Sequence, residues 1–363
     1  MTPPVRRALG LMSGTSLDGI DIAFLATDGA AQIEPGPWHT EPYEPAVRER
    51  LRSVLGGVGP VGEVERELTL AHARVVREFL ARHALGPIDL VGLHGHTILH
   101  RPHERRTWQI GDGALLAATL GIDVVADFRS SDVAAGGEGA PLAPIFHAGL
   151  ATGMGRPLAV LNLGGVGNVT WLGAEAEAML AFDTGPGNAL IDDWALSTTG
   201  APFDRDGVLA FAGRVDRDYL ERFLTLPFFS RSPPKSLDRD DFRDWLPRHL
   251  GAADGAATLT AMTAAAVQAA GRHFPAPPRQ WLVTGGGRHN PAVMAALRRI
   301  LQVPVEPVES VGWQGDALEA QAFAYLAVRS NAGLPLSFPG TTGVAAPLTG
   351  GKLFRPDPPS GIQ

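Results

Sequence analysis

Residues Gly10 to Ala23 read GLMSGTSLDGIDIA. The apolar run Ala8 to Met12 predicts a short buried strand, Ser13 to Gly19 a turn of small residues, and Ile20 to Ala26 a second strand. Strand, small-residue turn and strand together are a hairpin signature. A turn made of Gly, Ser and Thr exposes backbone N–H groups and hydroxyls, a concavity that suits phosphate oxygens. Asp18 and Asp21 offer carboxylates for hydrated Mg²⁺, which keeps several waters and needs few protein ligands. The segment is neither a Walker A loop nor a GxGxxG fingerprint, and taken alone it reads better as an ordinary tight hairpin.

The pattern returns in the second half of the chain. Leu158 to Leu163 predicts an apolar strand, Gly164-Gly165-Val166-Gly167 a tight turn, and Asn168 to Leu172 the return strand. Met179 to Phe182 then leads into Asp183-Thr184-Gly185-Pro186-Gly187-Asn188, with a helix predicted from Ala189. Glycines let a backbone approach a ligand closely, and a helix N-terminus offers free N–H groups and the positive end of its dipole. Taken alone, this segment reads better as a capping Asp and a turn. Trp281 to Thr284 predicts a strand that meets Gly285-Gly286-Gly287, either a flexible loop or a flat surface for an adenosine. Two candidate phosphate loops, one per half, followed by a late glycine loop resemble the actin, sugar-kinase and chaperone ATPase superfamily. That resemblance implies an α/β fold of two related ribonuclease H-like lobes with a nucleotide and substrate cleft between them. The expected division is residues 1–150, joined by 335–363, against 151–334.

The bulk composition agrees with this reading. At 363 residues the chain exceeds what one core usually organises. Its net charge of -7 argues against a nucleic-acid or anionic-membrane binder, which needs a basic face. Without cysteine it has no disulfide, thiolate metal site or Cys nucleophile. The apolar stretch after Arg6 and Arg7 is too short for a signal-peptide core, and no apolar run approaches the ~18–20 residues that span a bilayer, so a cytoplasmic protein is expected.

Other candidates lie between and after the loops. Val125 to Leu142, VADFRSSDVAAGGEGAPL, is dense in polar groups beside a predicted strand end, and Arg129 offers a planar fork suited to a carboxylate. Glu319 stands in a largely apolar helical stretch, Ala317 to Ala327, and is either aimed at a cleft or on an exposed face. His94, His96, His100 and His103 cluster in sequence. If the strand before them continues, His94 and His96 share a face and a zinc site is conceivable, but no third-ligand motif accompanies them, and polar lining is the better reading. Arg231 to Asp244, rich in proline and charge, is expected to be a mobile surface loop.

Gly10 to Ala23, His94-Gly-His-Thr-Ile-Leu-His100, Gln109 to Asp112, Val124 to Pro144, LNLGGVGNVT (Leu161 to Thr170), FDTGPGNALIDDW (Phe182 to Trp194), Phe203 to Gly207, Pro234-Lys235-Ser236, VTGGGRHNP (Val283 to Pro291) and DALEAQAFAYLA (Asp316 to Ala327) resemble, in order, the anhydro-N-acetylmuramic acid kinase family. The resemblance covers nearly the whole chain. It implies a double reaction: hydrolysis of the 1,6-anhydro ring and phosphorylation of the freed O6, within cell-wall recycling. By the same resemblance Asp183 is the base that activates water. Gly14, Thr15, Ser16, Leu17, Asp18, Gly19, Ile20 and Asp21 bind ATP, as do Gly164, Gly165, Gly185, Gly187 and Asn188, with Gly285, Gly286 and Gly287 near the nucleoside. Mg²⁺ would enter with ATP near Asp18 and Asp21. Thr97, Arg129 and Glu319 contact the sugar, and the protein is a homodimer. Three positions depart from the family pattern: His96 stands where Gln is expected, Asp112-Gly113 replaces an Asn/Asp-Pro pair, and Leu237-Asp238-Arg239-Asp240 replaces Thr-Gly-Arg-Glu. The alternatives are a kinase for another amino sugar and an actin-like chaperone ATPase.

Overall fold

The computed structural model describes residues 3–14, 17–175 and 178–356. They fall into two units, Met1–Thr152 with Ala317–Gln363, and Gly153–Asp316.

The first unit is built on β1 (Arg6–Ser13), β2 (Gly19–Thr27), β3 (Ile33–Pro42), β4 (Leu90–Arg101), β5 (Arg106–Ile110), β6 (Val124–Ala126) and a late strand, Lys352–Phe354. The sheet runs Lys352–Phe354, β6, β4, β1, β2, β3, with β5 paired to β4. β1 is antiparallel to β2, β2 to β3, and β1, β4 and β6 are parallel. The second unit holds β7 (Leu158–Leu163), β8 (Val166–Leu172), β9 (Met179–Pro186), β10 (Trp281–Thr284) and β11 (Val305–Pro307), in the order β11, β10, β7, β8, β9. Again the first three strands are antiparallel neighbours, and β7, β10 and β11 are parallel. Each unit therefore places its first strand centrally, a meander to one side and two parallel strands to the other. These are the two related α/β lobes that the sequence implied.

Connection length dictates this arrangement. Short turns join only antiparallel neighbours, whereas a parallel partner needs a long crossover, usually helical. The crossover from β3 to β4 contains helix Val61–Arg82, which buries Val64, Leu68, Val75, Val76 and Phe79 at helical spacing. The crossover from β9 to β10 contains Ala189–Thr199 and the alanine-rich Ala252–Ala270. The first core gathers Leu9, Leu11, Ile20, Ile22, Phe79, Val91 and Leu93. The second gathers Leu161, Val169, Phe182, Trp194, Met262, Val283 and Leu297.

Several expectations are corrected. The apolar periodicity of Leu68 to Leu85 predicts a helix there, and the helix begins seven residues earlier, at Val61. The apolar run Ile88 to Leu93 predicts a strand ending at His94-Gly95-His96-Thr97, whereas β4 continues to Arg101. β3 was not foreseen, because Pro35 and Pro37 lie within it; the sheet order puts it at an edge, where a missing N–H is tolerated. Helix Leu318–Asn331 packs on β1, β2 and β4, so it belongs to the first unit, whereas residues up to 334 were expected in the second. The reason is a close backbone approach. A Cβ on Gly10 would lie 1.7 Å from the Ala320 carbonyl oxygen, and one on Gly92 would lie 2.2 Å from that of Phe323. Among the described residues no helix is long and apolar enough to cross a membrane.

Candidate functional site

In the second unit three glycine loops far apart in sequence meet at one end of the sheet. The turn between β7 and β8 is locked to the segment after β9: Asn188 N–H donates to Gly164 O at 2.7 Å, and Gly187 N–H to Gly165 O at 2.9 Å. The contact is so close that a Cβ on Gly187 would sit 2.3 Å from Gly164 O. Asn188 precedes helix Ala189–Thr199 but does not cap it with its side chain; its Nδ2 donates to Leu163 O at 2.8 Å. The third loop reaches the same residue. Gly285 takes φ +75, a left-handed conformation open to glycine, and a Cβ on Gly287 would lie 2.8 Å from Asn188 Oδ1. Arg288 fixes this loop, with Nη1 on Gly285 O at 2.9 Å, Nε on Glu309 at 2.9 Å and Nη2 on Asp316 at 2.7 Å. From behind, Thr263 donates to Gly187 O at 3.0 Å. Gly164, Gly165, Gly187, Asn188, Gly285 and Gly287 are thus one assembly. Gly185 lies inside β9 against helix Ala252–Ala270, where a Cβ would meet Ala266 at 2.6 Å.

Asp183 stands on β9 just before this assembly. Its backbone N–H donates to Lys235 O at 3.0 Å, and its Oδ2 accepts from Leu237 N–H at 2.8 Å. Burial pushes the carboxyl up to about 7, with the Leu237 bond and Lys235 opposing and Asp238 and Asp241 adding to the rise. The segment expected to be mobile therefore carries a fixed element: Lys235 is only 6% exposed. Asp192, in the first turn of the following helix, is likewise raised to about 6, by burial and by its neighbour Asp193. Lys235 and Arg288 were not singled out as site residues in the sequence. The signal for Lys235 was available, since the chain has only two lysines, this one and Lys352.

In the first unit the β1–β2 hairpin forms as expected. Thr15 and Ser16 lie outside the described residues. Leu17 closes the turn with φ 60 and its N–H on Gly14 O at 3.1 Å. Asp18 is exposed, Gly19 lets β3 approach to the Glu41 carbonyl, Ile20 is buried core, and Asp21 accepts from the Thr40 hydroxyl at 2.5 Å. With its side chain in the core, Ile20 has only backbone groups to offer a ligand. Beneath the turn, Ser13 Oγ shares hydrogen bonds with Tyr43 OH at 2.7 Å and His96 Nδ1 at 3.0 Å, and burial lowers His96 to about 4. An exposed Asp18 with a hydrogen-bonded Asp21 fits hydrated Mg²⁺, which needs few direct carboxylates.

Arg129 and Glu319 come together in the same unit. Burial lowers the Arg129 guanidinium to about 10 against the opposing charges of Glu319 and Asp132. Its Nε and Nη2 reach His94 Nε2 at 3.1 and 3.0 Å, and Nη1 donates to Gly139 O at 2.7 Å. Asp132 holds the glycine loop through Gly139 N–H at 2.6 Å and Thr342 at 2.6 Å. His94 is neutral, its pKa depressed by burial and by Arg129. Thr97 is bonded elsewhere, accepting from Gln109 Nε2 at 3.2 Å. The shared face for His94 and His96 does not form: Gly95 takes φ +74, sending His94 to Arg129 and His96 to Ser13. Among the described residues no group of three His, Cys, Asp or Glu is placed to hold a metal ion.

A sequence model of the family "Anhydro-N-acetylmuramic acid kinase" matches residues 6–356. This chain belongs to that family. Its relatives of that name include one from Paramagnetospirillum magneticum, 62% identical over 354 residues, covering 96% of this chain and 99% of the relative. Another, from Rhizorhabdus wittichii, is 54% identical, covering 96% and 99%. A third, from Rhodospirillum rubrum, is 56% identical, covering 96% and 94%. The family match spans both units, so each sheet and each loop described above lies within it.

Proposed function

We propose that the chain is a cytoplasmic ATP-dependent kinase. It hydrolyses the 1,6-anhydro ring of 1,6-anhydro-N-acetylmuramic acid and phosphorylates O6, giving N-acetylmuramic acid 6-phosphate and ADP in peptidoglycan recycling. Beside the family membership, one observation carries the reading. A strand-end carboxylate raised to about 7 adjoins three interlocked glycine loops that offer backbone groups to a nucleotide.

In this reading Gly164, Gly165, Gly187 and Asn188 cradle phosphate, with the positive end of helix Ala189–Thr199 behind them. Gly285, Gly286 and Gly287 face the nucleoside, and Gly14 to Asp21 supply the first of the two phosphate loops. Mg²⁺, when bound near Asp18 and Asp21, neutralises charge on the phosphates. Arg129, held rigid by His94 and Gly139 O, offers its fork to the substrate carboxylate, and Glu319 and Thr97 accept sugar hydroxyls.

Asp183 does the proton chemistry. Leu237 N–H occupies Oδ2 and fixes the carboxylate, leaving Oδ1 to take a proton from water. As the water oxygen bonds to C1, the C1–O6 bond breaks through an oxocarbenium-like state. O6 departs with the electron pair and attacks the γ-phosphoryl group in line, ADP leaves, and Asp183 later returns its proton to solvent. A base that titrates near 7 is matched to this task at neutral pH. The homodimer implied by the family resemblance belongs to the same proposal, and light scattering checks it.

The deciding experiment is incubation with ATP, Mg²⁺ and the anhydro sugar in ¹⁸O water, followed by mass spectrometry. One solvent oxygen at C1 of a 6-phosphate is the expected product. No product from that sugar, with another amino sugar phosphorylated instead, overturns the assignment.

A further inference from the structure

Lys235 is the one lysine of the described residues that is buried; the other, Lys352, is exposed and pairs with Asp127 at 2.6 Å. Every other cationic aliphatic side chain in the sequence is arginine. An ammonium is a compact point charge, whereas a guanidinium is a broad fork, and a small closed site distinguishes them. Lys235 occupies such a site. Nζ donates to Phe228 O at 3.1 Å and to His273 Nε2 at 3.3 Å. It also lies 4.6 Å from the ring centroid of Phe228 and 5.4 Å from that of Phe182, the residue before Asp183. His273 is kept neutral by burial and by Lys235, so its Nε2 accepts. Two acceptors and two ring faces make a cage for one ammonium.

The cage has a directional consequence. The main chain of the same residue holds Asp183: Lys235 O accepts from Asp183 N–H at 3.0 Å, and two residues on, Leu237 N–H donates to Asp183 Oδ2 at 2.8 Å. The side chain anchors 235–237 on one side, and the main chain grips the carboxylate on the other.

Resting on the reading of Asp183 as the base, we propose that Lys235 is a positioning residue. It clamps the 235–237 segment so that the Leu237 N–H stays on Asp183, and it thereby sets the pH at which that carboxylate begins to accept protons. Two effects act in the same direction. The ammonium favours the ionised carboxylate through space, and the clamped N–H favours it through a hydrogen bond. The other charged groups facing Asp183 are Asp238 and Asp241, which oppose ionisation; those facing Lys235 are Arg231 and Arg272. Among the described residues, Lys235 is the one charged group acting on Asp183 that favours its ionised form.

The test is the pH profile of kcat/KM for phosphorylation in Lys235→Met, Lys235→Arg and His273→Ala, with ATP affinity measured alongside. Lys235→Met is expected to move the acid limb upward by about 1 pH unit while ATP affinity changes less than twofold. Lys235→Arg keeps the charge and is expected to restore part of that shift. His273→Ala, at a partly exposed position, removes one acceptor and is expected to move the limb the same way by less. It carries the test alone if Lys235→Met does not fold. An acid limb unmoved in the folded variants overturns the proposal, whatever the loss of stability. Asp183→Asn separates the two levels, because full activity there overturns the base assignment itself, whereas an inactive Asp183→Asn with unmoved limbs overturns only the role of Lys235.

Discussion

In the proposed role of base, Asp183 must meet two demands that conflict in water: to be ionised enough to take a proton, and basic enough to keep it briefly. Burial resolves the conflict by raising the carboxyl to about 7, while one N–H from Leu237 keeps the rise from going further. The sign of the pH dependence follows. Below about 7 the folded protein holds a proton there and the base is lost, so kcat/KM is expected to fall about tenfold per pH unit on the acid side; a rate profile checks this. Stability runs the opposite way. A carboxyl raised above its unfolded value binds its proton more tightly in the folded state, so its contribution to stability is lost as pH rises from the ordinary carboxylate range to about 7. Asp183→Asn is expected to leave ATP binding intact and abolish both ring opening and phosphorylation. It should also flatten that slope in thermal melts, and retained phosphorylation would contradict a shared base. For Arg129→Ala, calorimetry should show sugar binding weakened by about tenfold or more with nucleotide binding nearly unchanged, since its partners are His94, Gly139 O and the Glu319 charge.

Among the elements, glycines decide how loops meet. Gly187 and Gly286 look alike in sequence but not in the fold. A Cβ on Gly187 strikes the Gly164 carbonyl oxygen at 2.3 Å, while the nearest atom to one on Gly286 is Asn188 Nδ2 at 3.7 Å. Gly187→Ala is therefore expected to cost about 1–3 kcal/mol in denaturant unfolding and to abolish ATP binding, whereas Gly286→Ala should fold normally. The hairpins were legible because apolar runs flank small-residue turns, and the signal is wholly local. β3 was not, because two prolines contradict strand propensity, and only its place at the sheet edge makes them harmless. The 231–244 segment was misread for the opposite reason. Its proline and charge content says loop, which is correct, but content says nothing of a lysine sealed between Phe182 and Phe228.

For the molecule as a whole, the chain builds one topology twice and then returns to finish the first copy. Helix Leu318–Asn331 covers β1, β2 and β4 at glycine contact distance, and Lys352–Phe354 adds a strand beside β6. Ending the chain after residue 316 should therefore expose the core of the first unit while sparing the second. Limited proteolysis is expected to leave a protected fragment near 153–316; equal resistance of both halves would contradict this. The sequence by itself determined the two halves and the three glycine loops, because strand–turn–strand signals and residue types are local properties; the role proposed for Asp183 came from the family resemblance. Only the tertiary structure decided that the loops converge on Asn188, that Glu319 belongs with Arg129 and that Lys235 stands behind Asp183. Each of those rests on contacts between segments tens to hundreds of residues apart, and burial, which sets the titration of Asp183, exists only once those segments have packed.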